Sequence, residues 1–350
     1  MAIRGAAAGK VSLAVDFAGQ VAGRAHAALA RAPARRFSIG GAQFDILTSP
    51  LGHEQLSRAF LQGGRGQVRE GVHSIFVWDG TDPRVGPPHR PWGETGHEPL
   101  GVVAAYSDSR IRCAFDIHTS SLIVHDRERH CSYTWYPDIA SLPAWAKASP
   151  FRIPLSWLLN RHEMQMVHGA AVAIDGSAVL LAGAGGSGKS TTALACALAG
   201  MGYLGDDYCA VDPQRRTVHM IYRTAKAFPR TLGMLPRLNR LVVNADRITE
   251  EKGVIFFEAD DLNLIHSAGL AAILLPRISI DGRTAVTPAS RADAMRALLP
   301  STVGGLMGGT GFTPKALLKL VHDIPVFTMD LGTDLAAVID AVSSVIERWR

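Results

Sequence analysis

Apolar and polar residues alternate in short runs through the first half of the chain. In 73-HSIFVWDG-80, 100-LGVVAAYSD-108, 111-IRCAFDIHT-119 and 121-SLIVHDRERHCSYTWY-136 the period is close to two, with Gly, Asp and Pro at the breaks. The pattern predicts strands joined by turns, and an antiparallel, mostly β domain over 37–150. The segment 82-DPRVGPPHRPWGETGHEP-99 is rich in Pro and Gly and is expected to be a loop. Ahead of it, 1–36 is rich in Ala and Arg and reads as a flexible or partly helical N-terminal tail.

The period changes after the Ser149-Pro150 break. In 142–168, Leu155, Trp157, Leu158 and Leu159 fall at helical spacing, and a second domain over 151–350 is placed here. The run 170-AAVAIDGSAVLLAG-183 reads as two strands turning at Asp175-Gly176. Further strands are expected at 207–212, 216–223, 270–279 and 324–331, and helices at 190–199, 290–299, 313–321 and 333–348. In the last helix Leu335, Val338, Ile339, Val342 and Ile346 form a core-facing stripe.

Composition adds exclusions. The 350 residues are 47% hydrophobic and 19% charged, enough for two cores. No run approaches the roughly 18–20 apolar residues of a membrane span, so no membrane partner is expected. The N-terminus lacks the apolar core and cleavage site of a secretory signal. Cys113, Cys131, Cys196 and Cys209 show no C-x-x-C spacing, which argues against a zinc knuckle or disulfide framework and for a cytoplasmic protein. A net charge of +5 without interleaved aromatics does not point to nucleic acid.

Between the strand ending near Ala182 and an Ala-rich helix, Gly183, Gly188, Lys189 and Ser190 fit G-x-x-x-x-G-K-[ST]. Such a loop turns its backbone N–H groups inward around phosphate oxygens at a helix N-terminus. Gly183, Ala184, Gly185, Gly186, Ser187, Gly188, Lys189, Ser190 and Thr191 are therefore the expected nucleotide-binding residues. Lys189 reaches toward the β- and γ-phosphates and Ser190 toward Mg²⁺. The loop names no reaction, because ATPases, GTPases, transporter motors and kinases share it.

Asp206 and Asp207 follow the helix closely. A helix of about 11 residues carries the chain roughly 16 Å away, and four or five extended residues bring the pair back alongside the first strand, at the phosphate end or near it. One carboxylate can hold Mg²⁺ and the other can accept a proton from an attacking hydroxyl. In most P-loop proteins the metal-binding acid follows a long apolar strand, but the later run 271–275 ends in Pro276-Arg277.

The stretch 168-HGAAVAIDGSAVLLAGAGGSGKSTTALACALAGMGYLGDDYCAVD-212 resembles the catalytic core of bacterial HPr kinase/phosphorylase and its relatives, including PqqD-associated and lasso-peptide serine kinases. In that family a His-Gly pair precedes a β-hairpin, a phosphate loop and an Asp-Asp dyad at this spacing. The resemblance is strong over these residues, loose over 155–350 and absent from the N-terminal part. It implies an α/β fold, with a P-loop, HPr-kinase-like (PEP-carboxykinase-like) catalytic domain preceded by a smaller β-rich domain. It also implies ATP and Mg²⁺ as cofactors, with a protein or peptide serine as phosphoacceptor.

Carried over by position, Asp206 is the general base, Asp207 and Ser190 serve the metal, and His168 lies near the reaction centre. The two aspartate roles are interchangeable on sequence grounds. The segment 226-KAFPRTLGMLP-236 resembles the family's Phe-Pro-Lys/Arg-Pro segment and makes Arg230 the candidate for stabilising the phosphoryl group, although Thr231 stands where relatives often have Pro. The stretch that supports dephosphorylation in bifunctional members has no convincing counterpart, so a reverse phosphorylase activity is not expected.

The remaining cations between Arg215 and Arg247 read as a solvated basic surface. A nucleotide-binding sensor or assembly ATPase without a phosphoacceptor is the alternative reading. No L-S-G-G-Q or N-K-x-D motif supports a transporter or GTPase. Acceptor identity and oligomeric state, a homo-oligomer included, stay open.

Overall fold

The computed structural model describes residues 2–61, 64–66, 71–81, 85–92, 101–306 and 312–350. It is a mixed α/β structure with several sheets. The chain divides into two units, one up to Leu158 and the other from Leu159 onward, Leu306 excepted. The division thus falls within a helix rather than at Pro150.

The first unit contains α1 (Ala2–Ala28), β1 (Ala34–Ile39), β2 (Ala42–Leu47), α2 (Pro50–Gln55), β3 (Arg65–Gly66), β4 (His73–Asp79), β5 (Ile111–Asp116), β6 (Ser121–Asp126), β7 (Cys131–Tyr136) and α3 (Ala144–Ala148). The next helix, α4 (Arg152–Arg161), crosses the division. The strands form one sheet in the order β3-β1-β2-β4-β7-β6-β5. It is mixed rather than antiparallel: β2–β4 and β4–β7 are parallel, joined by the long connections that parallel neighbours require.

The N-terminal segment is not a tail outside this unit. Ala14, Phe17, Ala18, Val21, Ala22, Ala25 and Leu29 recur at three- and four-residue spacing along and just past α1, and they pack in one core with Trp78, Leu122, Val124 and Tyr133.

Two further expectations change in detail. The run 121–136 is two strands, because Asp126 Oδ1 accepts the backbone N–H groups of Glu128 and Arg129 and closes a turn. In 100–108, Ala104–Tyr106 is a 3₁₀ turn and only Val102 makes a bridge, to Ala114. The Ser107 hydroxyl there accepts the Cys113 N–H at 3.0 Å, taking the place of a strand partner. The expected loop 82–99 lies largely outside the described residues.

The second unit runs β8 (Gln165–Ile174), β9 (Ser177–Ala182), α5 (Lys189–Leu198), β10 (Gly202–Gly205), β11 (Tyr208–Asp212), β12 (Thr217–Met220), β13 (Thr224–Ala227), α6 (Pro229–Met234) and β14 (Gly253–Phe256). It continues through β15 (Ser267–Ile278), β16 (Ala285–Pro288), α7 (Arg291–Gly305), α8 (Phe312–Asp323), β17 (Val326–Leu331) and α9 (Leu335–Trp349). An eight-stranded sheet holds all of these strands except β13 and β14, which pair with each other. β15 lies parallel to both β9 and β17.

The central strands are buried on both faces, which is why they read as continuous apolar runs. Ala170, Val172, Val179, Leu181, Ala272 and Leu274 pack against Ala193 and Cys196 of α5 and Val338, Val342, Val345 and Ile346 of α9. The alternate residues Val167, Ala171, Leu180 and Ile273 pack against Leu298 of α7 and Leu317, Leu320 and Val321 of α8. No helix among the described residues is long and apolar enough to cross a membrane.

The small β13–β14 sheet is tied to the large one by Tyr203, a fully buried residue whose hydroxyl donates to Thr224 O at 2.7 Å. Tyr203→Phe is expected to lower unfolding free energy by about 1–2 kcal/mol, read as a lower urea midpoint, because a buried carbonyl loses its donor.

Candidate functional site

The β8–β9 hairpin sets up the site. Asp175 and Gly176 have φ of 48° and 79°, the left-handed pair of a type I′ turn. The register then runs from Ile174 opposite Ser177 to Gly169 opposite Ala182. His168 therefore stands beside the point where the chain leaves β9 for the Gly-rich loop.

The loop enters α5 at Lys189, and no side chain caps that helix, so its first N–H groups are free for a ligand. Gly188 has φ 104°, and a methyl group there would overlap Leu331; both facts demand glycine. Lys189 is 7% exposed and donates Nζ to Gly183 O at 2.7 Å and Ala184 O at 3.0 Å. The Ser187 hydroxyl is buried without a hydrogen-bond partner.

The aspartate pair returns alongside β8, the first strand of the hairpin. β10 and β11 pair with the other edge of β8, Tyr203 opposite Val172 and Tyr208 opposite His168. The strand register shifts between Tyr203 and Gly205. Asp207 then takes a left-handed φ of 71°, held as Gly169 N donates to Asp207 O at 3.2 Å. This break in the ladder gives the two adjacent acids different surroundings.

Asp206 is 2% exposed, and its Oδ1 accepts the Ser190 hydroxyl at 2.8 Å. Its other oxygen accepts Lys226 N at 3.1 Å. Asp207 Oδ2 accepts Lys226 Nζ at 2.6 Å, and Oδ1 lies 3.9 Å from His168 Nε2. Lys226 thus holds both carboxylates, one through its backbone and one through its side chain. Ser190 meets Asp206, not the Asp207 that the resemblance paired with it.

Burial pushes the Asp206 carboxyl above its usual range, and the neighbouring Asp207 charge adds to this, against hydrogen bonds from Lys226 and Ser190. Burial also acts upward on Asp207, but Lys226, His168 and Lys252 outweigh it and leave that carboxyl below the usual range. Burial lowers His168; Asp207 opposes this, while Lys189, Lys252 and Lys226 reinforce it.

Asp206, Asp207, His168, Lys189 and Ser190 line one cavity of about 690 Å³, together with Phe228, Arg230, Thr231, Lys252, Leu331 and Leu335. Arg230 is exposed, in the first turn of α6. Thr191 and Thr231 share a hydroxyl hydrogen bond at 2.7 Å that joins α5 to α6.

Of the expected residues, Gly185, Gly186, Gly188, Lys189, Ser190, Thr191, both acids, His168 and Arg230 come together on this cavity, whereas Gly183, Ala184 and Ser187 do not line it. Sequence reasoning assigned no role to Lys226, Lys252, Phe228 or the Thr191–Thr231 bond. Lys226 lay inside the motif quoted around Arg230, and its charge was the available signal.

The donor set fits a nucleotide and Mg²⁺. A hydroxyl and a carboxylate meet at 2.8 Å beside free helix N–H groups. Among the described residues no group of three or more His, Cys, Asp or Glu side chains could hold a metal by itself. A cation here would complete its shell with phosphate and water oxygens, as Mg²⁺ does.

No protein-family model matches the chain, and no curated protein matches it. Among solved structures, the Hpr(Ser) kinase/phosphatase from Coxiella burnetii is similar over 53% of this chain and 95% of its own, at 12% identity and a TM-score of 0.26.

Proposed function

We propose that the chain is a P-loop kinase that transfers the γ-phosphoryl group of ATP to a serine hydroxyl of a protein or peptide. One observation carries this reading: the Gly-rich loop and two differently held carboxylates face the same cavity, with Ser190 bonded to Asp206 and Asp207 beside His168.

Ser190 and Asp206 are the residues that would hold Mg²⁺, which when bound neutralises phosphate charge. The geometry thus favours the reverse of the division first drawn for the aspartates. Asp207, kept anionic by Lys226, orients the acceptor hydroxyl and takes its proton. The serine oxygen forms the new P–O bond as the bond between the γ-phosphorus and the β-γ bridging oxygen breaks, its electron pair leaving on ADP. Lys189 gives up its loop carbonyls to hold phosphate oxygens, and the Lys226 ammonium keeps the Asp207 carboxylate in place beside His168.

The test is incubation with γ-labelled ATP, Mg²⁺ and a degenerate serine-peptide library, with ATP binding measured by calorimetry. Labelled phosphoserine is the expected result. Absence of ATP binding would overturn the reading. Phosphate release without labelled acceptor would favour a nucleotide-hydrolysing sensor.

A further inference from the structure

The cavity holds one lysine that neither an anion nor the loop engages. Lys189 donates to carbonyls of its own loop, and Lys226 is paired with Asp207. Lys252 lines the same cavity, makes no ion pair among the described residues, and rests its ammonium 4.5 Å from the centroid of the Phe228 ring. Phe228 is 49% exposed, so this is a weak seat that an oxyanion displaces readily.

The backbone beneath Lys252 is firmly held. Asn244, 5% exposed, donates Nδ2 to Lys252 O at 3.0 Å and accepts Val254 N at Oδ1 at 2.8 Å. β14 begins at the next residue. The arrangement combines a fixed base with a long side chain free to swing. Lys252 lines the same cavity as Gly185, Gly186, Gly188 and Lys189 of the loop and as Asp206 and Asp207, and its charge acts on His168, Lys189, Asp206 and Asp207.

We propose that Lys252 is a catalytic residue of the transfer step: its ammonium leaves the Phe228 ring and pairs with the oxygens of the phosphoryl group in flight. This rests on the kinase reading and extends it, assigning to Lys252 the cation role that the sequence suggested for Arg230. Lys252 forms no covalent bond and exchanges no proton. A loose phosphoryl-transfer transition state spreads charge over three oxygens, so a mobile point charge serves it better than the bound ground state.

The experiment compares the full chain with Lys252→Met and Lys252→Arg, titrating ADP·Mg²⁺ with and without aluminium fluoride, which mimics the phosphoryl group in transfer. Lys252→Met is expected to bind ADP·Mg²⁺ within about threefold of the parent but to lose roughly tenfold or more of the tightening by aluminium fluoride. Lys252→Arg should keep most of that tightening.

A Lys252→Met chain that tightens like the parent overturns the inference and leaves the kinase reading intact. Loss of ADP binding at an unchanged melting temperature also overturns it, because Lys252 would then serve the ground state. A parent chain that shows no ADP·Mg²⁺ binding, or no tightening, fails the kinase reading and takes the inference with it.

Discussion

Lys189→Ala is expected to lose ATP·Mg²⁺ affinity by roughly 10²-fold, as for truncation of one member of a buried charge-assisted contact worth about 3 kcal/mol. Without a phosphate, the buried ammonium braces the loop through Gly183 O and Ala184 O. Removing it therefore costs the ligand a cation and the loop an internal support. Calorimetric titration of both proteins decides the point. Affinity within a few-fold of the parent would mean that the loop does not bind phosphate through this residue. Lys189→Arg should not rescue binding, since a planar fork cannot replace a compact ammonium in this enclosed position.

The second large effect separates the two aspartates. Asp207→Asn is expected to lower transfer by about 10²- to 10⁴-fold, the range for losing a general base, while ADP·Mg²⁺ binding stays near the parent value. Asp206→Asn is expected to raise the Mg²⁺ concentration needed for half-maximal nucleotide binding, because Asp206 is the acid that meets Ser190. Calorimetry across a Mg²⁺ series reads both variants. A shifted metal requirement in Asp207→Asn, with none in Asp206→Asn, would restore the assignment that the resemblance implied.

Local chemistry made part of this legible in the sequence. The Gly-rich loop, the Asp175-Gly176 turn and the acid pair each depend on residues close together in the chain; the turn forms where its dipeptide indicated, and the loop and the acids line one cavity. The rest was not local. That β12 pairs with β15, and β13 with β14, follows from strand pairing between segments whose residues give no hint of their partners. The same holds for Lys226, which pairs with Asp207, and for Lys252, which lines the cavity, both from positions far along the chain.

The case of α1 is different. Its apolar residues already showed a helical stripe, but many are Ala, whose weak hydrophobic signal was overshadowed by the surrounding Arg and Gly. The expected 100–108 strand failed for a third reason, since Ser107 competes for the hydrogen bond that a partner strand would supply.

The β13–β14 pair stands apart from the eight-stranded sheet, and the segment 224–256 carries Lys226, Arg230, Thr231 and Lys252. Of the other residues that line the cavity, His168 stands on β8 of the large sheet, where a one-residue slip would turn every side chain to the opposite face, and Lys189, Ser190, Thr191 and Thr192 stand on α5. The two halves of the cavity therefore differ in how freely they can diverge. On the proposed kinase reading, substitutions in 224–256 would alter the acceptor side of the cavity while leaving the Gly-rich loop untouched.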